Sequence, residues 1–161
     1  MGGAEIKRSM ATTSRLTLLC RVHHLVCAVP LEHVIETLRP LAIEPLAGAP
    51  GYVCGLSMIR GVPVPVVDTG LLLGTEQARP TRLITLRAGS HTVAIAVDSV
   101  IGVRALGAAD TASLPPLLGA AANDAVSSLG SRDRELLLVL EAAALVPDEL
   151  FARLASEGSA A

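Results

Sequence analysis

Val62, Val64 and Val66 recur at every second position, with Pro63 and Pro65 between them. A period of two puts the valines on one face of a pleated strand and the prolines on the other. Proline has no N–H to give a ladder, so this strand lies at a sheet edge, or its proline face is unpaired on that side. Val53 to Ile59 also has strand character, and Arg60-Gly61 separates the two runs. The pattern predicts a hairpin that turns as type I at Ile59-Arg60 with Gly61 left-handed, the three-residue loop with a bulge. Gly48-Ala49-Pro50-Gly51 is turn chemistry ahead of it. Asp68 is placed to cap a turn or two of helix that Gly74 ends.

Short apolar runs between Gly, Pro and polar clusters continue along the chain and predict about ten strands, hence an all-β fold. Leu16–Val22 and Leu25–Val29 form a hairpin about His23-His24. Leu31–Leu38 is a turn and a strand, Leu41–Ala47 an apolar loop, and residues 75–81 a polar connection. Leu83–Arg87 pairs with Thr92–Val97, and Val100–Leu106 extends the second of these or begins a new strand. The last hairpin joins Val126–Leu129 to Glu135–Leu140 over residues 130–134. Gly107–Ala125, with Leu114-Pro115-Pro116-Leu117, is the least structured stretch. Pro147–Ala155 reads as a terminal helix with Leu150, Phe151 and Leu154 on one face.

Composition narrows the classes. At 161 residues the chain is one domain's worth, able to bury roughly 70% of its unfolded surface. It is 51% hydrophobic with a mean hydropathy of +0.56, yet no apolar run reaches the ~18 residues of a membrane span. With one Tyr, one Phe and no Trp, the core is aliphatic. A net charge of −2 with no basic stripe argues against nucleic-acid binding. Three cysteines without a secretory signal suit a reducing cytosol better than a disulfide framework. Residues 1–15 read as a disordered tail; Ile6 stands where a myristoylation signal needs Ser or Thr.

Candidate chemistry is sparse. Cys20, His23, His24 and Cys27 are zinc-ligand types. If His23-His24 is a two-residue loop, however, Cys20 faces Cys27 in the sheet while both histidines sit at the solvent tip, and the four do not converge. A nucleophile such as Cys54 would need His33 or His91 as base and Asp68 or Asp98 to orient it, and no motif holds them together. Cys54 reads as packing, Asp68 as a cap, and Asp98 as an acceptor for backbone N–H groups where its strand bends. No enzyme activity, metal or cofactor is expected.

The stretch from residue 48 to 74 resembles the CheW family of adaptor modules. The resemblance rests on Ala49-Pro50, Gly55, Ser57-Met58-Ile59-Arg60-Gly61 and Pro65-Val66-Val67-Asp68, with Val29-Pro30 and Val34-Ile35-Glu36 before them. Ala96-Val97-Asp98-Ser99-Val100-Ile101-Gly102-Val103 and Leu136–Leu140 with Glu141 follow in order. It implies two small five-stranded SH3-like barrels sharing a core, with short connecting helices, over residues 16–146, followed by a C-terminal helix and tail at 147–161. It implies a non-catalytic cytoplasmic adaptor that couples the cytoplasmic tip of a chemoreceptor to the regulatory domain of a CheA-type histidine kinase. Such an adaptor reaches membrane-associated receptor arrays through its partners, without inserting in the bilayer.

By that resemblance Arg60, Glu36, Val34 and Gly61 are partner-binding candidates, and Asp68, Asp98 and Gly55 structural ones. Arg60 reads either as an intramolecular clamp or as an interface contact, and Glu36 shares the ambiguity. Val34 is groove wall or core. The family often has polar residues at Leu25 and Val26, and because a hairpin turns one of each neighbouring pair outward, one of the two is expected to be exposed. Ser128 and Glu141 depart from the family's Gly and Asp. The alternatives are an adaptor of a pilus or other chemosensory-like pathway, and a metal- or ligand-binding β-barrel module using Cys20, His23, His24 and Cys27.

Overall fold

A computed structural model describes residues 15–107, 111–112, 126–132 and 135–160. The strands are β1 (Arg15–Val22), β2 (Leu25–Pro30), β3 (Val34–Leu38), β4 (Val53–Ile59), β5 (Val62–Asp68), β6 (Arg82–Ala88), β7 (His91–Val97), β8 (Ser99–Leu106), β9 (Thr111–Ala112), β10 (Val126–Arg132) and β11 (Glu135–Leu140). A one-turn helix α1 (Thr69–Leu72) follows β5, and α2 (Asp148–Ala160) follows β11.

The strands form two sheets. The first runs β8-β1-β2-β11-β10-β9 and the second β3-β6-β7-β5-β4. In the second, the chain leaving edge strand β3 returns to the far edge, where Glu44 and Leu56 exchange two backbone hydrogen bonds of 2.8 Å. That bridge closes the sheet into a barrel. In the first, edge strands β8 and β9 are only residues 107–110 apart in sequence. That span allows at most ~18 Å between their ends, which curls this sheet as well.

Alternation along each strand explains why the two barrels share a core. Val93, Ile95 and Val97 of β7 face a large cluster that also takes Cys20, Val22, Cys27 and Val29 from the first sheet. Ala94 and Ala96, between them, fill the second barrel with Ile59, Val64, Val66 and Leu83. Leu19, Val26, Ala28, Leu137 and Val139 fill the first. Both faces of the central strands are therefore buried, which requires apolar side chains at consecutive positions.

Several sequence expectations need adjustment. β5 is not an edge: it pairs antiparallel with β4 along its length and parallel with β7. The β7 ladder begins only at Val66↔Ala94, past both prolines, so the unpaired side falls where the missing N–H groups require. Thr111–Ala112 forms a strand against β10, inside the stretch expected to lack one. The last hairpin pairs through to Arg132↔Glu135, further than expected. β8 is a new strand, paired with β1. Leu25 is half-buried against the shared core and Val26 lies in the first barrel, so no apolar patch forms there. Residues 1–14 and Leu114–Leu117 lie outside the described residues.

The terminal helix buries Leu150 and Phe151 against the shared core, with Phe151 stacked on His91 at 4.1 Å. The opposed pair Cys20↔Cys27 is free and fully buried. The Cys20 thiol is held well above its usual range by its interaction with Cys27 and by burial, so it acts as packing. Cys20→Ala is expected to cost about 1–3 kcal/mol as a core truncation; urea unfolding with and without zinc checks this, and a loss seen only with zinc would contradict it.

Candidate interaction site at the mouth of the second barrel

The site begins with a tight turn. Ile59 pairs with Val62, leaving a two-residue loop in which Arg60 has φ 50° and Gly61 φ 78°. Two left-handed residues make a type I′ turn, not the expected type I turn with a bulge. The twist of type I′ matches that of the flanking strands, which makes it the favoured two-residue hairpin turn. Glycine carries the second position without strain.

Arg60 emerges from this turn opposite Glu36 of β3. The guanidinium grips the carboxylate with two parallel bonds, Nε to Oε1 at 2.7 Å and Nη2 to Oε2 at 2.8 Å. Glu36 is positioned by a bulge between Val34 and Glu36, by its N–H donating to Thr85 Oγ1, and by its own carbonyl accepting from that hydroxyl. The sequence left clamp and contact open for Arg60, and its geometry serves both. It holds the β4–β5 turn against β3, yet 77% of its side chain is solvent-exposed, against 22% for Glu36. Fork geometry gives the pair direction, and water and salt screen its energy.

The pair has a pH signature. The hydrogen bonds from Arg60, reinforced by its charge, hold the Glu36 carboxyl below its ordinary value, and Glu36 holds Arg60 above its own. A carboxyl depressed by folding adds stability above its unfolded pKa and loses it as pH falls through the folded value. In Arg60→Ala, the NMR titration midpoint of Glu36 is expected to rise toward the ordinary carboxylate range, with melting temperature nearly unchanged. A midpoint indifferent to the substitution would show that the pair does not form in solution.

Beneath the pair the barrel interior opens into a pocket of about 180 Å³ lined by Ile35, Glu36, Ile59, Arg60, Val62, Val64, Thr85 and Thr92. Ile35 is 46% exposed and Val62 55%. These two were missed as site residues. Ile35 lies inside the quoted Val34-Ile35-Glu36 segment, and Val62 is the outermost valine of the alternating run, but only barrel closure brings them together. Val34 is half-buried and packs on the shared core instead. Gly61 sits in the turn with open space where a Cβ would go.

The remaining candidates lie elsewhere. Asp68, buried, accepts from the N–H of Leu71 at 3.0 Å and of Ala78 at 3.0 Å. It caps α1 while anchoring the 75–81 connection. Gly74, at φ 79°, ends that helix in a Schellman motif: Thr75 N–H reaches Gly70 O, and Gly74 N–H reaches Leu71 O. Asp98 accepts from His23 N–H at 2.7 Å and Arg79 N–H at 2.8 Å, tying the first barrel's hairpin to the 75–81 connection of the second. Gly55 lies beneath the Glu44 bridge at φ 146°. His23 is not a free tip residue, because its Nε2 lies 2.9 Å from the carbonyls of Glu76 and Gln77. His24 is exposed and both cysteines are buried, so the four do not converge; among the described residues no His, Cys, Asp or Glu group is disposed to hold a metal.

A second, more open pocket of about 430 Å³ is lined by Arg15, Leu16, Leu31 and Glu32. Arg15 pairs with Glu32 there, and that hydrogen bond lowers the Glu32 pKa.

Three comparisons with known proteins bear on these surfaces. The chain is 37% identical over 102 residues to Protein FrzA of Myxococcus xanthus, and 27% identical over 107 residues to a chemotaxis protein CheW of Klebsiella aerogenes. These stretches cover 62% and 65% of this chain, and 62% and 64% of the relatives. The chain thus matches somewhat under two thirds of the length of these curated relatives. The fold superposes on the crystal structure of the scaffolding protein TtCheW from Thermoanaerobacter tengcongensis with a TM-score of 0.68 at 16% identity. That match covers 78% of this chain and 88% of the other. The model of the CheW-like domain family matches residues 16–150, a span that takes in both barrels and the turn carrying Arg60. With two barrels sharing one core and that match running through both, the chain belongs to the CheW-like domain family.

Proposed function

We propose that this protein is a non-catalytic adaptor that couples the cytoplasmic tip of a chemoreceptor to the regulatory domain of a CheA-type histidine kinase. One barrel holds the kinase domain, and an apolar groove holds the helical receptor tip. The observation that carries the reading is the match of the CheW-like family model to residues 16–150. The described surfaces support it in kind. Exposed aliphatics beside a fork-geometry ion pair at one barrel mouth, and an open apolar pocket at Leu16 and Leu31, are surfaces suited to protein partners. No described helix is long and apolar enough to cross a membrane. In this reading the adaptor works at receptor arrays through its partners. Its effect on the kinase is a population shift, through contacts that differ between receptor states.

A second reading keeps the chemistry and changes the pathway, to an adaptor of a pilus or other chemosensory-like system. What favours it is that, of the two relatives above, the more similar is not the one named a chemotaxis protein.

Bridging tests the proposal directly. An immobilised receptor-tip fragment should capture the kinase regulatory domain only when this protein is added. Capture without it, or none with it, would sink the adaptor reading.

A further inference from the structure

The second barrel's inward face carries, past the pocket, a cation that neither the motif nor the clamp uses. Leu83, Thr85 and Arg87 of β6 lie on one face, as do Ala96, Ala94 and Thr92 of β7, with Arg87 directly opposite Thr92. Leu83, Ala94 and Ala96 are in the barrel core, and Thr85 and Thr92 line the mouth. Arg87 therefore stands one step beyond the pocket wall, roughly 6–7 Å along the strand from Thr85. It is exposed, and its guanidinium makes no hydrogen bond or ion pair to any described residue.

Charge at the mouth does not balance. Glu36 and Arg60 neutralise each other across the rim, which leaves Arg87 without a paired carboxylate among the described residues, on a chain of net charge −2. An arginine beside an apolar pocket costs nothing when solvated, and it offers a planar fork to a carboxylate. The pocket, at about 180 Å³, holds one branched aliphatic side chain and little more.

We infer that the mouth of the second barrel takes an acidic protein segment, placing one aliphatic side chain between Ile35, Val62 and Thr92 and a carboxylate on Arg87. This rests on the adaptor reading and adds to it the chemistry of the partner. Arg87 sets specificity by charge. Arg60 is available to a second acidic group on the partner only by exchange with Glu36.

The test is calorimetric titration of the full chain with two probes, the kinase regulatory domain and the receptor-tip fragment, at about 50 and 300 mM salt. Wild type is compared with Arg87→Lys, Arg87→Gln, Arg87→Glu and Val62→Ser. For at least one probe, Arg87→Gln should weaken binding about 3–10-fold at low salt and Arg87→Glu more. Arg87→Lys should bind nearly as wild type, and the salt dependence of Arg87→Gln should flatten. Val62→Ser should weaken the same probe with its salt dependence intact. If wild type binds but no bound probe is weakened by the Arg87 substitutions, the acidic-segment inference is overturned and the adaptor reading stands. If neither probe binds wild type, both fall. All four variants replace exposed residues, at two positions, and unchanged melting temperatures would confirm that folding is not what is read.

Discussion

Gly55→Ala is expected to destabilise the protein by about 3–5 kcal/mol, through strain and the loss of barrel-closing hydrogen bonds. Gly55 has φ 146°, and a Cβ there would sit 2.0 Å from the carbonyl oxygen of Glu44 and 2.9 Å from Pro45 Cα. The obstruction is backbone, so no rotamer relieves it. It is also the backbone that closes the barrel, because the same Glu44 carbonyl accepts from Leu56 N–H. Moving Glu44 aside costs that bond and its reciprocal, about 1 kcal/mol each, in addition to the left-handed strain of alanine. Gly61→Ala is the matched control: it also has positive φ, at 78°, but nothing lies within 4 Å of the added Cβ, so only strain of about 1 kcal/mol remains. Urea unfolding of both variants separates the effects. Equal losses would mean that the Glu44 bridge does not close the barrel as described.

Asp68→Ala carries the second large effect, about 2–4 kcal/mol. Asp68 is 2% exposed, and its carboxylate accepts the N–H groups of Leu71 and Ala78. Removing it leaves two donors without their acceptor, one at the start of α1 and one, buried, in the connection into β6. Both ends of that excursion loosen together. Hydrogen exchange should report this as faster exchange of Leu71 and Ala78 amides than of the β7 ladder, and Asp68→Asn, which keeps an acceptor oxygen, should fall between. A loss under 1 kcal/mol would mean that water replaces the carboxylate at both donors.

What could be read from the sequence follows the range of the interactions involved. Alternation is local, so Val64 and Val66 were placed on one face, and the Asp68 cap with its Gly74 stop needed only a few residues of context. The Arg60-Gly61 turn is local too. Its pattern still points to the wrong turn type, because Arg60 itself takes a left-handed conformation, which a non-glycine residue seldom advertises. The partner of Arg60 is 24 residues away on an opposite sheet edge, and no periodicity connects them. Barrel closure does, through Glu44 and Leu56, and the pocket with Ile35 and Val62 exists only as its consequence. His23 was expected in solvent for the same reason, because the 76–77 carbonyls that hold it come from the other barrel's connection.

The proposed adaptor would hold its partner at the mouth that Arg60 and Glu36 frame. Titration calorimetry against the regulatory domain of a histidine kinase from the same organism, with Arg60→Ala alongside, tests this most directly. Micromolar or tighter binding is expected, weakened by Arg60→Ala while the variant's melting temperature stays near wild type. No binding to any such domain, or wild-type affinity in the variant, would contradict it.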